Sequence, residues 1–159
     1  MHPSPTSIEP EGLFDGLRPR AILSGAVLDN LATIATSIVL FGLFAGEGAL
    51  SEDPEVANAA WTALSTNPLF LFCSVVLGLS CTVLGAFVGA WRAGVLHVRH
   101  GGWIAVASAA IGTLFLLLPG EASGAAPPLW YDVVGWALLI PAGVLGGALA
   151  AALQARNSA

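Results

Sequence analysis

Lysine is absent from this chain of 159 residues, and arginine occurs only five times. Charged residues of both signs make up 9% of it against 56% hydrophobic ones, and the mean hydropathy is +0.82. A soluble domain of this length needs a more polar surface, so the chain reads as one membrane domain. Nothing in it resembles a basic nucleic-acid surface. The net charge of −5 carries no substrate preference, because the acids are divided between two compartments. Cysteine is scarce as well. Cys73 and Cys81 fall on one expected helix about 12 Å apart, beyond the roughly 7 Å Cα limit for a disulfide, and they form no CxxC pair; both read as packing residues. The chain also lacks a nucleotide-binding glycine loop on a strand, a nucleophile elbow and an HExxH helix. No enzymatic activity, cofactor or bound metal is expected.

What is abundant is apolar sequence in four runs. Ala21 to Ala45 contains no proline and, at 25 residues, exceeds the roughly 7 to 15 residues of a secretory signal core, so it is expected to remain in the membrane. Leu69 to Trp91 follows Asn67 and Pro68, an N-cap and a first-turn proline that mark a helix start. Gly101 to Leu118 is shorter and stops at Pro119 and Gly120. Leu129 to Leu153 contains Pro141, where loss of the hydrogen bond to the Ala137 carbonyl predicts a kink. Each run reaches or approaches the roughly 20 residues that cross a bilayer core. The expected fold is an all-α integral membrane four-helix bundle over residues 21–155, with tails at 1–20 and 156–159.

Arg18 and Arg20 precede the first run, Arg92 and Arg99 separate the second from the third, and Arg156 follows the fourth. The opposite segments carry only acids: Glu47, Glu52, Asp53 and Glu55, then Glu121 and Asp132. By the positive-inside rule both termini are cytoplasmic. Trp91 and Trp103 at one level, and Trp130 with Tyr131 at the other, agree with these boundaries as interfacial aromatics. In the first outer loop Val56, Ala57, Ala60, Trp61 and Leu64 share roughly one helical face. That segment is either a short helix on the outer leaflet or an outward extension of the second span. The proline- and acid-rich residues 1–20 are expected to be disordered, ending in a short interfacial foot around Leu13, Phe14 and Leu17. No internal repeat supports a duplicated transporter.

Glycines spaced four apart, Gly42 with Gly46, Gly85 with Gly89 and Gly143 with Gly147, allow close approach of helix backbones. On the second span Gly78, Gly85, Gly89 and Arg92 follow one stripe, which turns Arg92 toward another helix, of this chain or of a second copy. Asp29 lies eight residues into the first span, about 12 Å from its start, where a carboxylate costs roughly 2.5 to 3.5 kcal/mol. Gly25, Thr33 and Thr36 share its face, with Asn30 and Ser37 nearby. Two readings follow: a protonatable site in a proton or cation pathway, or a buried ion pair with Arg92 reaching down from the second span. His97 and His100 read as polar loop surface, with no third ligand beside them to hold a metal or haem.

The stretches LGAFVGAWRAGVLHVRHGGWIAVAS and RAILSGAVLDNLATIATSIVL resemble uncharacterised bacterial integral membrane proteins of four spans, in which a glycine-rich second helix ends in Arg before a short His/Gly loop. That likeness covers the first three spans and implies an inner-membrane location but no activity. The acid in the first span is similar in physical character to that of the small multidrug resistance transporters, although this chain is longer, has Asp29 instead of a glutamate and lacks their aromatic pattern. Abundant Ala, Gly and Arg without Lys point to a GC-rich bacterial genome. The sequence leads to a structural, accessory or regulatory component of a bacterial inner membrane, partnered by lipid and by another membrane protein or itself. A small proton- or cation-coupled transporter or channel using Asp29 is the alternative.

Overall fold

The computed structural model describes residues 12, 14–46, 48, 51–117 and 126–157. They form five helices and no strand: α1 (Pro19–Phe44), α2 (Pro54–Thr66), α3 (Pro68–Ala93), α4 (His97–Leu116) and α5 (Leu129–Asn157). Among the described residues α1, α3 and α5 are long and apolar enough to cross a membrane. The other long helix, α4, has 20 residues and opens on His97, Arg99 and His100, which dilute its apolar character. Most of the expected N-terminal tail, and the third run's stop at Pro119 and Gly120, lie outside the described residues.

Local chemistry explains where the helices begin. The Asn67 side chain accepts from the Leu69 and Phe70 N–H groups at 3.0 and 3.2 Å, with Pro68 in the first turn of α3. Asp53 caps the Glu55 N–H at 2.9 Å before Pro54 starts α2. Asn67 is extended (φ −73°, ψ 114°), so α2 is a separate helix and not a continuation of α3. Trp61 of α2 stacks on Phe41 of α1 with ring centroids 4.4 Å apart, and Leu64 is buried.

The link from α3 to α4 is only Gly94 to Leu96. Gly94 closes α3 in the left-handed conformation (φ 68°), and Leu96, unusually for a residue with a β-carbon, adopts φ 47°. Histidines 97 and 100 are therefore helical, which overturns their reading as loop surface. The Arg18 N–H donates to His100 Nε2 at 2.9 Å, and His100 Nδ1 lies 3.1 Å from the Leu96 carbonyl. An acceptor at Nε2 places the proton on Nδ1, and the ring, fully buried, ties the start of α1 to α4. His97 Nε2 donates to Gln154 Oε1 at 2.6 Å, and the Gln154 amide donates to the Trp91 carbonyl at 3.1 Å. These bonds join α3, α4 and α5 at the same end, where all five arginines are found.

Helices α3 and α4 touch each other and both flanking helices, α1 and α5, which lie on opposite sides of them. At the arginine end the backbones come close. A β-carbon on Gly85 would sit 2.7 Å from both Asp29 Cβ and the Gly25 carbonyl, and one on Gly89 would meet Ile104 Cδ1 at 2.5 Å. Likewise Gly143 would meet the Gly101 carbonyl at 2.5 Å, Gly147 the His97 carbonyl, and Gly146 the Val83 carbonyl. Small apolar residues complete this half, with Ala26, Ala86 and Ile104 as the buried core. Toward the other end the pattern reverses: β-carbons on Gly42, Gly78, Gly112 and Gly135 would meet nothing within 4 Å among the described residues. Gly78 and Gly42 thus make no close helix crossing among the described residues of this chain, unlike Gly85, Gly89, Gly143 and Gly147. Helix α5 continues through Pro141, whose ring leaves the Ala137 carbonyl without its usual donor; both residues are exposed, so no helix contact is disturbed.

Candidate functional site

Where the four long helices diverge they enclose a cleft of about 540 Å³. Asp29, 3% exposed, stands at its closed tip, immediately beyond the Gly25 and Gly85 crossing. From there α1 contributes Asn30, Thr33, Thr36 and Ser37 to one wall, at the i, i+3 and i+4 spacings of a helix face. Helix α3 supplies Ser74 and Thr82, and α4 supplies Ser108. Asp132, Tyr131 and Trp136 of α5 line the part nearest the other end. The three unfilled glycines 78, 112 and 135 all line this space, so here glycine provides volume where at the arginine end it provides contact.

The carboxylate is weakly held. Thr82 Oγ1 donates to Asp29 Oδ1 at 3.2 Å but also lies 3.3 Å from the Gly78 carbonyl, so one hydroxyl proton serves two acceptors. Thr33 Oγ1 reaches the same Oδ1 at 3.4 Å, near the outer limit of a hydrogen bond. The buried Ser108 hydroxyl is beside the carboxylate but makes no bond of acceptable geometry. Asn30 is committed to the Ala26 carbonyl at 2.8 Å, and Thr36 lies 3.6 Å from the Cys81 sulfur. A few long hydroxyl contacts cannot replace the hydration of a full negative charge. Among the described residues lining the cleft there is no arginine or histidine, and the two ionisable carboxyl groups there, of Asp29 and Asp132, are of one sign.

Of the expected site residues, the structure brings Asp29, Asn30 and Thr33 together and leaves Arg92 apart. Arg92 is exposed and stands with Arg18 and Arg20 around a second cavity at the arginine end. It is ten residues beyond Thr82, the partner of Asp29 on the same helix, hence about 15 Å farther along α3. The glycine stripe does turn Arg92 toward α1, but toward its first turn and not its middle. Gly85, Gly89, Gly143 and Gly147 sit at close helix crossings.

Thr82, Ser108, Gly112 and Gly135 were not singled out from the sequence. Thr82 continues the stripe of Gly78, Gly85 and Gly89 at helical spacing, and Ser108 lies seven residues from Gly101 on α4. A polar residue on a small-residue stripe was the available signal. Cys73 and Cys81 are both free, and no group of three metal-ligating side chains occurs among the described residues. No family model matches the chain, and neither a curated protein nor a solved structure shows significant similarity to it.

Proposed function

We propose that this chain is a small membrane transporter or channel for protons or cations, with Asp29 as the binding group. The observation that carries the reading is a weakly bonded carboxylate at the closed tip of a largely apolar cleft with a polar stripe, where the other ionisable carboxyl group among the described lining residues, that of Asp132, has the same sign. A charge so placed needs a proton or cation for company. The volume suits a small solute, and the aromatic residues Tyr131 and Trp136 in the lining suit an organic cation. The other reading, a structural, accessory or regulatory component, loses one support, the Asp29–Arg92 pair, because those groups line different cavities.

The finer assignments belong to the same proposal. The chain makes four crossings, with α4 as the third, and both termini lie on the cytoplasmic side with the arginines. Its location is a bacterial inner membrane. The cleft then faces outward, and the close glycine crossings beneath Asp29 form the barrier that must open for release inward.

The test is flux through the purified protein in phosphatidylcholine vesicles, measured for protons, for sodium and potassium, and for the fluorescent organic cation ethidium. Wild type is expected to move at least one of them. Asp29→Asn is expected to abolish that flux while eluting and melting as a folded protein. Wild-type rates equal to those of empty vesicles for all of these ions would sink the proposal.

A further inference from the structure

The second cavity, about 760 Å³, lies at the arginine end between the start of α1 and the end of α3, and it is lined by Arg18, Arg20, Ser24 and Arg92 among others. The three arginines come from two helices and are all exposed, and among the described residues none forms an ion pair. Topology requires basic residues at this end but not their convergence: Arg99 is directed to the Gly12 carbonyl at 3.0 Å, and Arg156 is on α5, outside this cavity. The first turn of α1 has no side-chain cap and no acidic residue of its own; Ala21 and Ile22 turn their N–H groups to the Arg18 carbonyl, so what this turn adds for an anion is the favourable end of the helix dipole. Ser24 is spent on the Ala21 carbonyl at 3.0 Å and offers no donor.

We propose that the Arg18, Arg20 and Arg92 cavity is a binding site for the phosphate of an anionic membrane phospholipid. Guanidinium groups suit phosphate oxygens through paired N–H donors, and basic pockets between membrane helices hold anionic head groups. The exposed apolar surface farther along the same two helices argues for a lipid over a free ion. Leu23 and Val27 continue from Arg20 at steps of three and four along α1, and Leu84 lies two turns below Arg92 on α3; all three are exposed. They provide a track along which acyl chains descend from the head group into the bilayer. This site is distinct from the Asp29 cleft, and its test does not depend on transport.

The experiment measures phosphatidylglycerol retained by the full chain through detergent purification, together with the rise in melting temperature when phosphatidylglycerol, phosphatidylcholine or inorganic phosphate is added. Wild type is expected to retain phosphatidylglycerol and to be stabilised by it alone. Each change among Arg18→Gln, Arg20→Gln and Arg92→Gln is expected to weaken binding about fivefold, from the contribution of one arginine near an anionic surface. The conservative Arg92→Lys should recover part of the loss, and Arg156→Gln should change nothing. The singles are informative even where the triple variant fails to fold. An equal loss in Arg156→Gln would overturn the proposal in favour of a diffuse surface potential. Stabilisation by inorganic phosphate to the same extent would overturn the lipid assignment, and absence of any preference for phosphatidylglycerol would overturn the site.

Discussion

Asp29 illustrates how one residue can be costly to the fold and still be kept in a defined place. Its β-carbon rests where a side chain on Gly85 would stand, so α3 can approach α1 here only because position 85 is bare. Thr33 and Thr82 then turn their hydroxyls to the same oxygen. The polar face on α1 was legible in the sequence because Thr33, Thr36 and Ser37 repeat at helical spacing around the acid. The proposed pairing with Arg92 was not, because helical spacing gives direction around an axis and says little about depth in a neighbouring helix. The corrected geometry makes a definite prediction for a double-mutant cycle. Groups separated by about three turns share no partner, so the stability effects of Asp29→Asn and Arg92→Gln should add within about 0.5 kcal/mol. A large non-additive term in thermal or denaturant unfolding in detergent would restore the ion pair.

At the scale of the helix, glycine has two opposite uses in this chain, and sequence spacing alone does not tell them apart. Gly85 and Gly89 are four apart and pack closely, while Gly42 and Gly46 are four apart and Gly42 meets nothing within 4 Å. Three of the close crossings join backbone to backbone: Gly25 with Gly85, Gly101 with Gly143, and Gly147 with His97. Gly101 and Gly25 have no glycine four positions away in their helices, so a paired motif could not reveal them. The two classes should separate experimentally. Gly85→Ala and Gly101→Ala introduce a β-carbon against backbone and should lower stability by about 1 to 3 kcal/mol, the usual range for an overpacked site. Gly78→Leu and Gly135→Leu should leave folding close to wild type but fill the cleft and reduce flux. Comparable unfolding midpoints for all four variants would show that the two ends of the bundle are packed alike.

The path of the chain through the whole molecule bears on the proposed four crossings of the bilayer. Helix α1 leaves the arginine end, and α3 returns to it at Ala93; α5 also finishes there, since Gln154 bonds to His97 and Trp91. Helices α3 and α5 therefore run parallel, and the chain must climb the full height of the molecule between them. Helix α4 does this: its 20 residues span about 30 Å, the thickness of a bilayer core. Its polar first turn lowers its average apolarity, yet those groups are occupied locally, with His97 and His100 bonded to neighbouring elements. In the proposed four-crossing arrangement both ends of the chain share a side, and the bond between His97 and Gln154 supports that reading. Compartment reporters fused before Met1 and after Arg156 should therefore both give a cytoplasmic signal, and a marker inserted at Asp53 the opposite one. A reporter after Arg156 on the same side as Asp53 would exclude the four-crossing arrangement, and with it an outward-facing cleft closed at the arginine end.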